Sequence, residues 1–189
     1  MRKLILVGAL LFGAQQASAA AVDAVGFGIS PLTLYTRASL RDTSFPTTFY
    51  LLGASNRMRL EYTEYVNDLP SDARTRQFNN SAFLGYYNAE FLLRARRGSV
   101  LGRTRIYLAA GGGVFRSRLN EVPNVNENNI GWGGMAGFRY FANKNFYLGA
   151  EAKYLSADIN YDNTATNTYE NNNIGGLFFT LNFGHRFNE

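Results

Sequence analysis

The chain has 189 residues, 46% of them hydrophobic and 17% charged, a length that makes one domain or a small pair. The absence of cysteine and a single histidine, His185, exclude a disulfide framework, a zinc ribbon, a thiol nucleophile and any site built on two histidines. The formal charge of +5, carried by 16 Arg and 3 Lys, is too small and too dispersed to indicate a nucleic-acid partner, and none is expected.

The N-terminus reads as a secretory leader. Arg2 and Lys3 form a positive start, Leu4 to Phe12 a short apolar run, and Ala17-Ser18-Ala19 an A-x-A cleavage site. Residues 1–19 are therefore expected to be a signal peptide, cleaved so that the mature chain starts at Ala20. Nine or so apolar residues are too few to cross about 30 Å of hydrocarbon as a helix. The mean hydropathy of −0.20 also argues against a helical membrane protein.

After the leader the pattern has period two, not 3.6. Val25 to Tyr35 and Phe45 to Leu52 are β-branched and aromatic, with Pro31 and Pro46 blurring the alternation, and are read as two strands. Arg57 to Thr63 sets Met58, Leu60 and Tyr62 against Arg57, Arg59, Glu61 and Thr63, which no amphipathic helix would do. Ala82–Arg96, Arg103–Arg116, Ile130–Ala142, Asn145–Asp158 and Ile174–Phe187 alternate in the same way, so eight strands are expected.

The connections alternate in length. Thr36–Ser44, Val66–Ser81, Ser117–Asn129 and Ile159–Asn173 read as long polar loops, two of them rich in Asn. Gly53–Asn56, Arg97–Gly102 and Asn143–Lys144 read as short turns. A soluble sandwich has no reason to alternate so regularly, whereas an up-and-down barrel crossing an outer membrane has short turns at one rim and long loops at the other.

With this pattern, the leader and the terminal run Leu177-Phe-Phe-Thr-Leu-Asn-Phe-Gly-His-Arg-Phe187, the chain resembles the small eight-stranded outer-membrane β-barrels. This is the porin-like superfamily that includes the OmpA transmembrane domain and the OmpW-type barrels. The resemblance implies an all-β fold, an eight-stranded antiparallel up-and-down transmembrane barrel over residues 20–189. It also implies residence in the cell outer membrane, with contacts to its lipid and lipopolysaccharide. Phe183 and Phe187 in the last strand would be the signal read by the barrel-assembly machinery, although Asn188 and Glu189 follow the aromatic and His185 stands where Tyr or an apolar residue is usual. The long loops would carry structural, adhesion or host-contact roles toward a host or surface ligand.

No catalytic, cofactor or metal site is expected. His185 lacks a partner to orient it as a base and reads as an interfacial aromatic. Gly111-Gly112-Gly113 lacks the Lys-Ser/Thr and the helix of a phosphate loop. Asp158, Asp162 and Glu170 lack the tight spacing of a calcium loop. The strongest constellation is a charged lumen: Arg57, Arg59, Glu61, Glu90, Arg94, Arg105, Arg139, Glu151 and Lys153, with Arg96, Arg103 and Arg186 nearer its rim. An eight-stranded barrel is only wide enough for side chains to fill, so these charges are expected to pair as a packed polar core. Glu90, bracketed by Arg57 and Arg59 on one side and Arg105 on the other, is the expected negative centre. The competing reading is a narrow pore or an OmpW-like conduit lined by Leu84, Phe115, Met135 and Phe178.

Overall fold

The computed structural model describes residues 22–35, 41–42, 44–70, 75–92, 99–119, 126–163 and 168–187. The expected leader, Arg94 and Arg96 lie outside these residues. The strands are β1 (Val22–Tyr35), β2 (Arg41–Asp42), β3 (Thr47–Gly53), β4 (Met58–Pro70), β5 (Thr75–Leu92), β6 (Thr104–Leu119), β7 (Asn126–Phe141), β8 (Phe146–Ser156), β9 (Asp158–Asn163), β10 (Thr168–Asn173) and β11 (Gly176–Arg186). Eight of them form one ring in the order β4-β3-β1-β11-β8-β7-β6-β5, and β5 pairs back onto β4 to close it. Every pairing is antiparallel, and β1 meets β11 where the two ends of the barrel sequence join. The chain is thus an all-β, eight-stranded up-and-down barrel, as its alternation implies. Closure leaves no unpaired sheet edge, the condition that lipid imposes on a sheet.

The alternation sets the two faces. On β4, Arg59, Glu61, Thr63, Tyr65 and Asn67 are buried inside while Met58 and Leu60 are exposed outside. On β1 the pairing with β11 slips between Ile29 and Leu32. Pro31, which has no N–H to give a ladder, sits in that irregularity, and beyond it Leu32 and Leu34 face outward.

Outward positions divide into an apolar belt and a polar collar. On β6 the belt runs through Ile106, Leu108, Ala110, Gly112 and Val114, then stops at Arg116 and Arg118. On β4 it ends at Tyr62, before Glu64 and Asp68, and on β7 it runs from Ile130 through Trp132 to Tyr140. Five outward residues make a belt about ten residues deep, the length of a tilted strand crossing hydrocarbon. Trp132 and Tyr154 pack ring to ring at 5.4 Å at one margin of the belt. At the other margin His185 lies 4.8 Å from the Phe146 ring and 5.1 Å from Phe187. An apolar hollow of about 570 Å³ lies against this wall, with Phe27, Phe49, Leu60, Phe83, Leu148 and Phe183 among its lining residues.

Three of the expected long loops are mostly strand. β4 runs to Pro70 and β5 starts at Thr75, inside the expected loop Val66–Ser81; β6 reaches Leu119 and β7 starts at Asn126; Ile159–Asn173 holds the β9–β10 hairpin. The ladders continue past the belt, where the outward face turns polar and the alternation that marks a strand fades. The short turns also shift by a residue or two. Arg57, expected on an inward strand position, is exposed in the turn Ala54–Arg57, and Arg103 is exposed at the end of a short 3₁₀ turn, Leu101–Arg103.

Candidate functional site: the filled lumen

The interior is built in layers. Nearest the long hairpins is an apolar and aromatic cluster that includes Tyr65, Phe78, Leu84, Tyr86, Phe115, Met135, Leu155 and Phe178. Phe178 meets Tyr35 and Tyr65 edge-on at 6.1 and 5.4 Å, and the Tyr65 hydroxyl donates to the Ile174 carbonyl at 3.1 Å. Leu84, Phe115, Met135 and Phe178, the lining of the conduit reading, pack against one another here, each 5% exposed or less.

Below lies a layer of four charges. Arg59 forks onto Glu151, with Nη1 to Oε2 at 2.7 Å and Nη2 to Oε1 at 3.0 Å, and lies 2.6 Å from Glu61. Lys153 donates to Glu61 at 2.6 Å and to the hydroxyls of Thr48 and Thr63 at 3.0 and 3.2 Å. The Tyr107 hydroxyl donates to Glu151, and the Tyr50 ring lies 4.0 Å from the Arg59 guanidinium. All four charged side chains are fully buried, and two positive and two negative groups cancel. The sequence expectation named all four as inward, and β4 and β8 bring them together from opposite walls of the barrel.

Toward the short turns the lumen holds a small cluster of Ala24, Tyr50, Leu52 and Tyr147, with Phe141 against it. Beyond it Glu90 binds Arg105 at 3.1 Å and also binds Arg139. Glu90 is therefore not the centre of the lumen. It faces Tyr107 in the ladder, past the turn that begins β4, while Arg59 is taken by Glu61 and Glu151, which hold the middle. Arg94 lies outside the described residues.

Glycine makes room for these side chains. Gly26 pairs with Tyr50, Gly137 with Tyr107 and Gly184 with Tyr147, and in each pair a Cβ on the glycine would strike the tyrosine ring or hydroxyl. Gly133 likewise faces Tyr86 and Leu155. The aromatic partners sit flat along the wall because their cross-strand neighbour has no side chain.

Of the remaining sequence candidates, Phe183 lies on the outer belt and Phe187 at its margin, its amide donating to the Asp23 carbonyl at 2.9 Å. Asp158 accepts from Asn173 at 2.8 Å, and the described residues hold no cluster of three potential metal-ligating side chains.

No protein-family model matches the chain, and no curated protein matches it in sequence. Solved structures do match in fold. Neisserial surface protein A superposes with a TM-score of 0.54 at 15% identity, over 89% of this chain and 98% of that one. Outer Membrane Protein W of E. coli gives 0.54 at 12% identity, over 89% and 100%. The chain thus has, over nearly its whole length, the eight-stranded barrel fold of bacterial outer-membrane proteins.

Proposed function

We propose that this chain is an integral protein of the bacterial outer membrane, exported by a signal peptide over residues 1–19, whose barrel is a non-conducting, non-enzymatic anchor for hairpins displayed at the cell surface. The observation that carries the reading is the neutral, fully buried layer of Arg59, Glu61, Glu151 and Lys153 across a lumen already filled by aromatic side chains. An apolar belt about ten residues deep on the outer wall supports the membrane setting. A barrel of this width has no room for a path beside such a layer.

The hairpins fit structural, adhesion or host-contact roles. β4–β5 and β6–β7 continue past the belt, and β9–β10 adds a further arm whose sequence, Asp158–Asn173, is rich in Asn and Tyr. Lipid and lipopolysaccharide would surround the belt. The last strand, with Phe183 outward and Phe187 at its end, would be read by the barrel-assembly machinery. The sole histidine lies between the Phe146 and Phe187 rings on the outer margin, and the partners it meets among the described residues are these aromatic rings, which cannot orient it as a catalytic base.

Planar-bilayer recording with the refolded protein tests the reading. The expected trace stays at the bare-membrane baseline in molar salt. Reproducible unitary steps from folded, heat-modifiable protein would replace the closed anchor with a pore.

A further inference from the structure

The short-turn mouth of the lumen has more positive than negative charge. Arg105 and Arg139 are direct cross-strand partners, a placement in which like charges repel. Glu90 lies between them and binds both. Arg186, inward on β11, approaches from the far wall: its guanidinium lies 5.9 Å from the Phe141 ring centre, and that of Arg105 lies 5.2 Å from the same ring. Three guanidinium groups thus gather at this end, and Glu90 binds two of them. Among the described residues the other acid at this end is Asp23, one oxygen of which accepts from the Asn56 amide at 2.9 Å.

The donors are also unspent. Arg139 is only 2% exposed, yet its Nε and Nη2 find no acceptor among the described residues, and neither does the buried Nε of Arg186. Arg139 lies over the Tyr107 ring at 4.1 Å, so its plane is held in place and its free edge is directed by packing. Among the described residues the mouth keeps a net positive charge, and with the free guanidinium edge of Arg139 held over an aromatic floor this suits a phosphate oxyanion, because guanidinium pairs oxyanions through two parallel N–H bonds.

We infer that the mouth formed by Arg105, Arg139 and Arg186, with Glu90 as its internal counter-charge, is a binding site for a phosphate group. The site does not depend on the lumen being open. The group could come from free phosphate or from a phospholipid headgroup, since the mouth sits at the rim of the apolar belt.

The test is a titration of the full refolded protein in maltoside detergent with inorganic phosphate, followed by calorimetry, with short-chain phosphatidylglycerol as the second arm. Saturable binding in either arm is expected, weakened roughly tenfold by Arg186→Gln, the loss of one charge-assisted contact. Glu90→Gln, which removes the competing carboxylate, is expected to tighten it. Heat-modifiability on gels verifies that each variant is folded. Saturation with phosphate assigns the free ion, and saturation with the lipid alone assigns the headgroup. Absence of saturation in both arms, or binding unchanged by Arg186→Gln in folded protein, overturns the site.

Discussion

At the scale of single residues, the decisive contacts are those of Arg59. Its guanidinium is fully buried, forks onto Glu151 and touches Glu61, so removing one carboxylate leaves Arg59 and Lys153 sharing the other. Breaking a buried pair by one partner costs about 3–5 kcal/mol, because an uncompensated charge remains. Glu151→Gln is therefore expected to lower the urea midpoint strongly, and the Arg59→Met, Glu151→Leu double variant to recover much of the loss. Glu90→Gln should cost less, since Glu90 and Arg105 are 16% and 28% exposed and water can replace the lost oxygen. Equal midpoints for the two single variants would mean that the central layer is not sealed from water. The inward direction of Arg59, Glu61, Glu151 and Lys153 is legible in the sequence because period two assigns a face. Their meeting is not. Alternation says nothing of height along the barrel, which is why Glu90, rather than Glu61 and Glu151, reads as the centre from sequence alone.

At the scale of elements, the turn between β3 and β4 is the most strained described segment. Ala54, Ser55 and Asn56 all have positive φ, at 51°, 59° and 64°, and none is glycine. The turn is held from both sides: the Asn56 amide donates to Asp23, Asn88 donates to the Asn56 carbonyl at 3.1 Å, and the Asn88 amide donates to the Arg57 carbonyl at 2.7 Å. A left-handed residue with a Cβ costs about 1 kcal/mol or more relative to its right-handed form, so Ser55→Gly is expected to raise stability by up to about 1 kcal/mol, less the entropy glycine loses on folding. Chemical denaturation checks this, and a fall in stability would show that the serine hydroxyl, not the backbone, governs the turn. The reverse change belongs to the tyrosine-facing glycines. Gly184→Val places new carbons on the Tyr147 ring, which Tyr50, Phe141 and Ala24 already confine. Overpacking of this kind costs about 1–3 kcal/mol. The turns and strand faces are legible in sequence, but strand length is not. β5 continues from Phe83 back to Thr75 through Ser81, Asn79 and Gln77, whose outward polarity marks the end of the apolar belt rather than a change of backbone.

At the scale of the whole molecule, the belt and the hairpins define a direction. The start of β1 and the end of β11, Val22 and Arg186, lie at the same end as the turns Ala54–Arg57 and Ala142–Asn145, while β9–β10 and the extended ends of β4 to β7 lie at the other. β5 has 18 residues. At about 3.3 Å per residue it outruns a tilted crossing of the hydrocarbon, and all of the excess lies on the hairpin side. An exported chain that inserts from the periplasm keeps its short turns there and sends its hairpins outward. The chain has no cysteine, so single cysteines report position cleanly. Arg118, exposed on the collar of β6, and Lys144, exposed in the turn Ala142–Asn145, are suitable probes because neither packs in the lumen. A membrane-impermeant maleimide applied to intact cells is expected to label Arg118→Cys and to reach Lys144→Cys only after the outer membrane is permeabilised. Labelling of Lys144→Cys alone on intact cells would reverse the orientation and place the arginine-rich mouth at the cell surface. Equal labelling of both without permeabilisation would take the barrel out of the membrane altogether, because only a belt sunk in lipid separates its two ends.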